Sequence, residues 1–461
     1  MKTSIVLALA AGAASSAFAL IVPDLPKDGK TPVTAALQAA IDAASAAGGD
    51  AVALDAGRYL TGQVELKDNV TLRLAKGATL LAIRDWRMQR PSPDRIAALA
   101  RRLGCPEDPL ANVSAIVAAY GAKNVAIEGE GTIEGRGLGI PGKDGTPLRW
   151  KDAYFYRCAN VRLEGVTLRD PASWTCYFRE CDGVVARKVT IRSHVNRNND
   201  GFDIEAKNVL VEDCDVDATD DAFCFKNDNA DFTVENCVVR NCKASSACNF
   251  IKFGTSSFGT FRNVLVHDME LSARGESPVW DWRRVIPWAG VTNRTCGIAG
   301  IALEVVDGGR MEDITVRNIH MASGVQTPVV VRLARRCVGV RETYLRNVLI
   351  ENVTGCAVSR IASSVTGVAA SERGPALRPE NVVIRNVDLM LPGGGSVADA
   401  NPQGGVKEAE ASYPENRMFG VNLPAWGFYV RHAKNVVFEN VRMSLAAPDA
   451  RPEYVKEDVE P

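Results

Sequence analysis

Short alternating runs of apolar and polar residues, rather than helical periods, fill the chain from Ala51 onward. The recurring phrase is Asn-Val followed by apolar residues at alternate positions and then a short polar stretch. Its clearest copies begin at Asn69, Asn124, Asn160, Asn208, Asn263, Asn347, Asn381 and Asn435. Where no longer segment intervenes, the copies recur at roughly 23 to 34 residues, a spacing typical of repeat architectures. The pattern predicts many short β-strands joined at corners that carry Asn.

One coil of such strands cannot bury its own inner face, so the repeats are expected to stack. We therefore expect an all-β fold, a single-stranded right-handed parallel β-helix (a solenoid) of about ten coils. A doubly wound α/β fold is disfavoured because helical periods are missing between the strands. A propeller would need four antiparallel strands per blade at ~40 residues. In the β-helix, asparagines at equivalent corners would stack and satisfy each other's amides.

One helix is predicted ahead of the strands. It follows Thr34, a suitable N-cap, and ends before the Gly48-Gly49 pair. Its apolar face carries Leu37, Ile41 and Ala44. Because the open end of a solenoid exposes backbone edges and apolar interior, we expect this helix to cap the first coil.

Three longer gaps between the copies mark inserted segments at 84–120, 272–299 and 393–425. Insertions in a solenoid tend to project from one face, which is often the binding face. No linker or low-complexity segment divides the remaining chain. Residues 20–461 are therefore expected to form one β-helix domain.

Composition narrows the class of protein. The chain has 461 residues, 46% of them hydrophobic and 24% charged, with a formal net charge of -1. This balance gives no support to nucleic-acid binding, which usually shows a basic surplus. Residues 1–19 have the features of a secretory signal peptide: Lys2, a short apolar run, and Ala17-Phe18-Ala19 as the cleavage site. The run is too short for a membrane span, so we expect export to the periplasm or beyond.

Twelve cysteines in an exported chain raise the question of disulfides. Most lie near turns or strand ends of the repeats, where small buried residues are expected, although a bridge such as Cys237 with Cys242 remains open. No C-x-x-C pattern is present, and the four histidines lack the spacing of metal ligands. We expect a monomer with no cofactor and no metal.

Candidate chemistry is concentrated in two acidic motifs. Asp200 precedes Gly201, and the pair Asp220-Asp221 follows one predicted coil later. Parallel strands in a stack are ~4.8 Å apart, so three carboxylates from neighbouring coils can converge. Hydrolysis of a glycosidic bond uses two carboxyl groups, with inversion at separations of roughly 6.5–9.5 Å and retention at ~5 Å. The alternative is that these acids only occupy turns, which favour Asp.

The two motifs resemble those of a known family. Asn198 to Ile204 reads N-N-D-G-F-D-I and Asp220 to Lys226 reads D-D-A-F-C-F-K, similar to the N-T-D-G and D-D-C motifs of the polygalacturonases, glycoside hydrolase family 28. The resemblance implies a right-handed parallel β-helix and inverting hydrolysis of galacturonic-acid-containing chains without a required metal. By position, it makes Asp221 the general acid, Asp200 and Asp220 the pair that activates water, and Asn198 the motif asparagine.

The sequence departs from the family at two further motifs. Cys248-Asn249 stands where the family's G-H-G histidine is expected, and the R-I-K motif is missing near Gly300 to Gly309. These departures predict a divergent branch that acts on other pectic linkages or on oligosaccharides. Glu304 and Asp307 are extra acids near the missing motif, with a weaker case for catalysis.

Several basic and aromatic residues are candidates for substrate binding. Lys226 and Lys252 end similar apolar runs about one coil apart and could stack to neutralise a uronate carboxylate. Trp280, Trp282 and Arg283 crowd the second insertion, where indole faces suit sugar rings and guanidinium groups suit carboxylates. The alternatives are solvated lysines at strand ends, and a loop pinned to the solenoid by buried aromatic rings.

The sequence therefore predicts an inverting glycoside hydrolase whose partner is an acidic plant-type polysaccharide or oligosaccharide. Two other functions stay open at this point. A polysaccharide lyase on the same fold would abstract a proton with a basic residue and release an unsaturated sugar. A carbohydrate-binding β-solenoid without catalysis would bind the glycan and release no reducing ends.

Overall fold

The computed structural model describes residues 20–140, 149–337 and 342–461. The predicted signal peptide, 1–19, lies outside these ranges. Within them, no helix has the length and apolar character needed to cross a membrane.

Strands make up most of the described chain. They are β1 (Leu20–Ile21), β2 (Asp28–Pro32), β3 (Ala51–Leu54), β4 (Gly57–Thr61), β5 (Val64–Leu66), β6 (Thr71–Leu74), β7 (Ala78–Ala82), β8 (Ala115–Tyr120), β9 (Lys123–Gly129), β10 (Thr132–Glu134), β11 (Lys151–Tyr156), β12 (Ala159–Glu164), β13 (Thr167–Arg169), β14 (Cys176–Arg187), β15 (Thr190–Ser193), β16 (Phe202–Glu212), β17 (Asp215–Ala218), β18 (Phe223–Asn227), β19 (Thr233–Ser246), β20 (Asn249–Ser257), β21 (Thr260–Ser272), β22 (Gly297–Val305), β23 (Arg310–Ser323), β24 (Val325–Leu333), β25 (Tyr344–Cys356), β26 (Ser363–Thr366), β27 (Glu380–Leu391), β28 (Phe428–Leu445) and β29 (Tyr454–Glu460).

Helices are few and short. They are α1 (Thr34–Ala46), α2 (Pro93–Leu103), α3 (Asp108–Ala111), α4 (Trp282–Val285) and α5 (Val397–Ala400), with 3-10 turns at Trp86–Gln89 and Pro287–Ala289.

The strands pair in parallel with their counterparts one coil away, which is the pattern of a right-handed β-helix. The longest ladder joins β1, β3, β6, β9, β12, β14, β16, β19, β21, β23, β25, β27 and β28 in that order. The predicted fold class is confirmed, and the described stack is somewhat taller than about ten coils.

Asparagine at the corners explains why the repeat bends where it does. All eight asparagines that begin the repeats have a positive φ, between 48° and 63°, a region that Asn tolerates better than most residues. Their amides form a ladder in which, for example, Asn236 donates to Asn208 (3.1 Å) and accepts from Asn263 (2.7 Å). The same side chain thus permits the turn and ties each coil to the next.

Helix α1 covers the first coil, as predicted. Leu37, Ile41 and Ala44 are fully buried in the main core. The helix begins at Thr34 rather than after it, with Val33 as the N-cap, because the Thr34 hydroxyl lies against Thr61 (3.3 Å) and accepts a hydrogen bond from the Gly62 amide (2.7 Å).

All three insertions pack on one outer face of the solenoid. In the first, Leu99 of α2 joins a cluster with Tyr154 and Tyr177. Trp282 of the second insertion packs with Ala302 and Val330, and Phe419 of the third packs with Tyr429. The strands beneath them form one face of the solenoid, which we call the site sheet: β5, β8, β11, the first residues of β14 and β16, then β18, β20, β22, β24, β26 and the start of β28.

The twelve cysteines are all free thiols. Cys237 and Cys242 lie on the same strand, β19, and form no bridge. The contact that exists is between coils, where the Cys214 amide donates to the Cys242 sulfur (3.3 Å). Nine of the cysteines are buried, and six of these pack in the main core as small apolar residues: Cys158, Cys176, Cys181, Cys214, Cys237 and Cys242. The suggested bridge between Cys237 and Cys242 is wrong in this structure.

Candidate active site

In the outward-facing row of the site sheet that runs through Asp203 and Lys252, charged residues lie only near the middle. One row across the strands reads Ala118, Tyr154, Tyr177, Asp203, Cys224, Lys252, Ala302, Val330, Ser364 and Tyr429. The first insertion covers the residues at one end of this row, and the second and third cover those at the other. The polar segment between them, with Asp203, Cys224 and Lys252, belongs to none of these clusters, and its side chains are buried; we call it the floor of the candidate cleft.

Asp200, Asp220 and Asp221 meet at this cleft, as their motif positions predicted. They lie just before β16 and β18, and their nearest carboxylate oxygens are all within 4.8 Å of one another. Gly201 makes the approach of the two coils feasible, because a Cβ at this position would lie 2.3 Å from the Ala222 carbonyl oxygen. The Asp-Gly pair is thus needed for close packing as well as for its acid.

Asp221 is held by hydrogen bonds from the next coil. Its Oδ1 accepts from the Asn249 backbone amide (3.1 Å) and from Asn249 Nδ2 (2.7 Å), while Oδ2 accepts from Cys224 Sγ (3.7 Å). The side chain is 5% exposed. Asn249, from the Cys248-Asn249 pair that replaces the expected histidine, therefore fixes the orientation of this carboxyl.

Asp220 is held from the opposite side. Its Oδ2 accepts from Asn198 Nδ2 (3.3 Å), and Asn198 Oδ1 in turn accepts from Arg149 Nη2 (2.8 Å). The motif asparagine therefore links the carboxylates to a guanidinium group that the sequence gave no reason to single out.

Burial raises the pKa of two of the three carboxyl groups in this cluster. Burial, followed by the charges of Asp200 and Asp221, raises the pKa of Asp220 well above its usual range. Burial also raises the pKa of Asp200, although Lys226 opposes the shift. Because the three carboxylates repel one another, a proton on one of them is shared by the cluster. These directions favour Asp220 as the proton holder, whereas the resemblance makes Asp221 the acid.

Asp203 is a fourth carboxyl of the site that the motif search missed. It is fully buried, and Lys226 Nζ lies 3.3 Å from both Asp203 Oδ1 and Asp200 Oδ2. Burial raises the pKa of Asp203 well above its usual value. The sequence did contain a signal for Asp203. In the alternating run F-D-I-E from Phe202 to Glu205, this residue falls on the outer face of the strand, close to Asp200.

Lys226 balances two of these acids. Its pKa is raised well above its usual value because Cys224, Asp203 and Asp200 outweigh the opposing effect of burial. The indole ring of Trp174 lies between Lys226 Nζ (4.5 Å from the ring centroid) and Lys151 Nζ (4.7 Å). Lys226 is in the cleft, as predicted, but its charge is already paired.

Lys252 does not stack on Lys226. The residue that faces it across the ladder is Cys224, because Lys226 and Lys252 fall at different positions along their strands. Lys252 is 1% exposed and forms an ion pair with Glu304 Oε2 at 2.7 Å. Burial raises the pKa of Glu304 to about 7, with Lys252 opposing the shift. The expected pair of stacked lysines that neutralise one uronate is therefore wrong.

The third insertion brings Tyr413 to the edge of the cleft. Its ring centroid lies 5.8 Å from Lys252 Nζ and 5.7 Å from the Arg336 guanidinium carbon, and the residue is 54% exposed. Arg336 itself is paired with Asp307 at 2.6 Å. Tyr413 comes from far along the chain, and no motif identified it in advance.

Comparison with known proteins agrees with this geometry. Residues 107–271, which include every carboxylate of the cluster, match the family model described as glycosyl hydrolases family 28. A probable polygalacturonase from Vitis vinifera is 28% identical over 217 residues, which cover 43% of this chain and 42% of that protein. An endo-polygalacturonase from Pectobacterium parmentieri is 25% identical over 246 residues, covering 49% and 58%. The chain is a divergent relative of glycosyl hydrolases family 28.

The match to these relatives spans about half their length, whereas the fold agrees over nearly the whole chain. An exopolygalacturonase from Thermotoga maritima superimposes with a TM-score of 0.64 at 19% identity, covering 92% of both chains. In this family 28 relative, the expected histidine and R-I-K motif are replaced by Cys248-Asn249 and by the Glu304 region. Asn249 of the first replacement bonds to Asp221, and Glu304 of the second pairs with Lys252.

The two candidate tryptophans of the second insertion differ in burial. Trp282 is fully buried, stacks on Trp280 (5.0 Å between ring centroids) and donates from Nε1 to the Ala247 carbonyl (2.7 Å). It anchors the loop, so its predicted contact with sugar is wrong. Trp280 is half-buried and faces Arg197, and Arg283 is exposed and paired with Asp281 (2.9 Å).

Two groups of described side chains could bring ligand atoms to a cation. They are Asp200 with Asp203 and Cys224, and Asp200 with Asp220 and Asp221. Lys226 already supplies a positive charge at 3.3 Å from Asp200. A metal-free site stays a prediction, and activity retained after dialysis against a chelator is the measurement that checks it.

Proposed function

We propose that this family 28 relative is a glycoside hydrolase that cleaves galacturonic-acid-containing pectic polysaccharides or oligosaccharides with inversion. The observation that carries the proposal is the meeting of Asp200, Asp220 and Asp221 on the site sheet, with their nearest carboxylate oxygens within 4.8 Å of one another. Acid–base hydrolysis needs one protonated and one ionised carboxyl beside the scissile bond, and mutual repulsion within the cluster favours such a mixed state.

In the proposed mechanism, Asp221 protonates the leaving oxygen, while Asp200 and Asp220 orient and deprotonate the attacking water. Asn249 holds Asp221, Asn198 holds Asp220, and the charge of Lys226, 3.3 Å from Asp200, opposes the effect of burial that raises the pKa of Asp200. The nearest carboxylate oxygens lie within 4.8 Å of one another, closer than the roughly 6.5–9.5 Å typical of inverting pairs, so the proposal of inversion rests on the resemblance to family 28 and not on this spacing. In an inverting reaction the leaving group departs and water attacks on opposite faces of the sugar, and the released reducing end has inverted configuration.

The first test is reducing-end release from polygalacturonate, from rhamnogalacturonan and from their oligomers. Asp221→Asn is expected to lower turnover by at least about 10³-fold, because it removes a group that acts in the transition state. Asp313→Asn is the matched control, because Asp313 is a corner residue that accepts an amide hydrogen bond from Asn347 remote from the cleft. Activity of Asp221→Asn within a few-fold of the unaltered protein would remove the assignment.

A second measurement assigns the acid. A galacturonide with an aryl leaving group of low pKa needs no protonation, so the variant that lacks the acid should recover on it, and a variant that lacks the base should not. Recovery of Asp220→Asn instead of Asp221→Asn would exchange the two roles. Proton NMR of the first-formed anomer then decides between inversion and retention.

The two alternatives give different readouts in the same assays. A lyase would generate an unsaturated product that absorbs in the ultraviolet, and a purely carbohydrate-binding solenoid would bind oligomers without new reducing ends. We also propose that residues 20–461 are the mature, monomeric, exported domain. A mature protein that begins after Ala19, detected by mass spectrometry, would support export.

A further inference from the structure

The basic side chains around the carboxylate cluster differ in how readily they could pair with an anionic ligand. On the side of the later coils, Lys252 is neutralised by Glu304 at 2.7 Å, and both side chains are 1% exposed. Within the cluster, Lys226 is shared by Asp200 and Asp203. An anionic sugar that approached these lysines would have to displace a buried carboxylate partner, which is unfavourable.

In the part of the chain that the structure describes, the hydrogen-bond partners of Arg149, on the side of the earlier coils, are all neutral. It donates to Asn198 Oδ1 (2.8 Å) and, from Nη1, to the carbonyl oxygens of Arg197 (2.6 Å) and Ala172 (3.4 Å). Among the described residues it forms no salt bridge. Burial lowers its pKa, and the nearby Asp200 and Asp220 oppose that shift. Its charge is therefore held near the cluster without a direct anionic partner.

Arg149 also lines a cavity of about 480 Å³, a size that suits a small ligand. The other lining residues are Leu138, Gly139, Ile140, Val195, Asn196, Arg197, Pro278 and Val279. Arg197 is exposed, and its guanidinium carbon lies 5.4 Å from the centroid of the Trp280 ring. The cavity thus offers two guanidinium groups, an amide and apolar walls, and Arg149 connects it to Asn198.

We propose that this cavity is the subsite that binds a uronate sugar, with Arg149 and Arg197 recognising its carboxylate. Guanidinium groups match the planar carboxylate and can bind it through two parallel hydrogen bonds. Since Asn198 bridges Arg149 and Asp220, a sugar in the cavity is next to the catalytic cluster. The proposal rests on the proposed function and extends it: the acidic sugar lies towards the earlier coils, and the Lys252–Glu304 side accepts a neutral residue.

The test compares trigalacturonate with its fully methyl-esterified form. Binding is measured by calorimetry in the Asp221→Asn background, so that turnover does not interfere. Arg149→Gln and Arg197→Gln should each weaken binding of the acid form by about 10-fold or more, because a charge-assisted hydrogen bond is lost. Binding of the ester should change less than about twofold, since it has no carboxylate to recognise. Arg162→Gln, on another face and paired with Glu128 and Glu164, is the matched control and should change neither.

The outcomes separate the subsite from the hydrolase activity. Equal weakening for acid and ester, or no weakening in either variant, would overturn the subsite. Absence of binding of the acid form to the background protein would overturn it as well. If charge-selective binding is found but the unaltered protein releases no reducing ends, the subsite stands and the proposed hydrolysis fails. Arg197→Gln keeps the test decisive if Arg149→Gln does not fold, because Arg197 is exposed.

Discussion

Asp220 illustrates how a residue suited to catalysis can lower the stability of the fold. It lies between Asn198 and two other carboxylates, and burial with the charges of Asp200 and Asp221 raises its pKa well above the usual range. A raised pKa means that the folded state favours the protonated form. The contribution of Asp220 to the free energy of unfolding is therefore fully present below the pKa of Asp in the unfolded chain, about 3.9. This contribution is lost as the pH rises through the pKa of Asp220 in the folded protein.

Asp220→Asn is accordingly expected to stabilise the protein at pH 7 while it abolishes turnover. Asparagine keeps the size and the acceptor oxygen and removes the repelled charge. A gain of about 1 kcal/mol would be in the range found when a strained functional site is relaxed. The melting temperature, compared at pH 7 and near pH 4, checks this, and the gain should vanish at the lower pH. Asp313→Asn should show no such gain, and a lower melting temperature for Asp220→Asn at pH 7 would contradict the argument.

At the residue scale, the sequence identified the site residues that lie in short motifs at turns, where an acidic side chain and the turn geometry occur together. Asp200 and Asp221 were found because each sits in a short motif at a strand entry. Asp203 was not found, because a polar residue in an alternating strand has the same pattern whether it faces solvent or a cleft. Arg149 and Tyr413 reach the site from other coils and from an insertion, so their roles depend on tertiary packing that no local pattern records.

At the scale of elements, the Asn corners are the feature that the sequence predicted best. The same residue type satisfies two requirements, a positive φ and an amide that bonds to its neighbours above and below. The lysines show the opposite case. Their similar positions in F-C-F-K and F-I-K suggested stacking, but the ladder aligns Lys252 with Cys224. The strand register decides which residues of neighbouring strands face each other. This register depends on the position of each corner along the chain.

The two contributions of a corner asparagine can be separated at Asn236. Asn236→Gly keeps the left-handed backbone (φ 55°) and loses the amide ladder to Asn208 and Asn263. Asn236→Ala loses the ladder and adds the strain of a left-handed non-glycine residue, about 1–2 kcal/mol. We expect both variants to be destabilised and Ala to be the worse by about 1 kcal/mol, measured by urea unfolding. Equal stability of the two variants would show that backbone strain is not the reason for Asn.

At the scale of the whole molecule, the solenoid keeps its chemistry in one segment of the site sheet. Three insertions cover the apolar parts of the site sheet, and the polar floor lies between them. The fold supplies precise spacing between coils, while the insertions and the altered positions around the cluster supply the side chains that differ from the family motifs. This division explains why the fold matches a solved relative over 92% of the chain although the sequences are 19% identical.

Gathering many buried acids on one face also gives the molecule a characteristic response to pH. Burial raises the pKa of Glu205 to about 8 and that of Glu304 to about 7, and Asp152, Asp203 and Asp220 shift in the same direction. Each group stabilises the fold fully below its unfolded pKa and loses that contribution as the pH rises towards its folded value. Lys151, whose pKa burial lowers to about 8, changes stability only above that pH, where deprotonation favours the fold.

Stability is therefore expected to fall between pH 5 and pH 8. Carboxyls with lowered pKa, such as Glu65 and Glu128, are already ionised in both states above pH 5 and add no slope. Since one pKa unit corresponds to about 1.4 kcal/mol, Glu205 and Glu304 together are expected to remove about 3 kcal/mol or more. The melting temperature should drop by several degrees across this range, and Glu205→Gln, which keeps an acceptor for the Tyr177 hydroxyl (2.7 Å), should flatten the drop. A melting temperature that rises from pH 5 to pH 8 would mean that these acids are ionised at little cost, and the proton sharing proposed for the catalytic cluster would lose its physical basis.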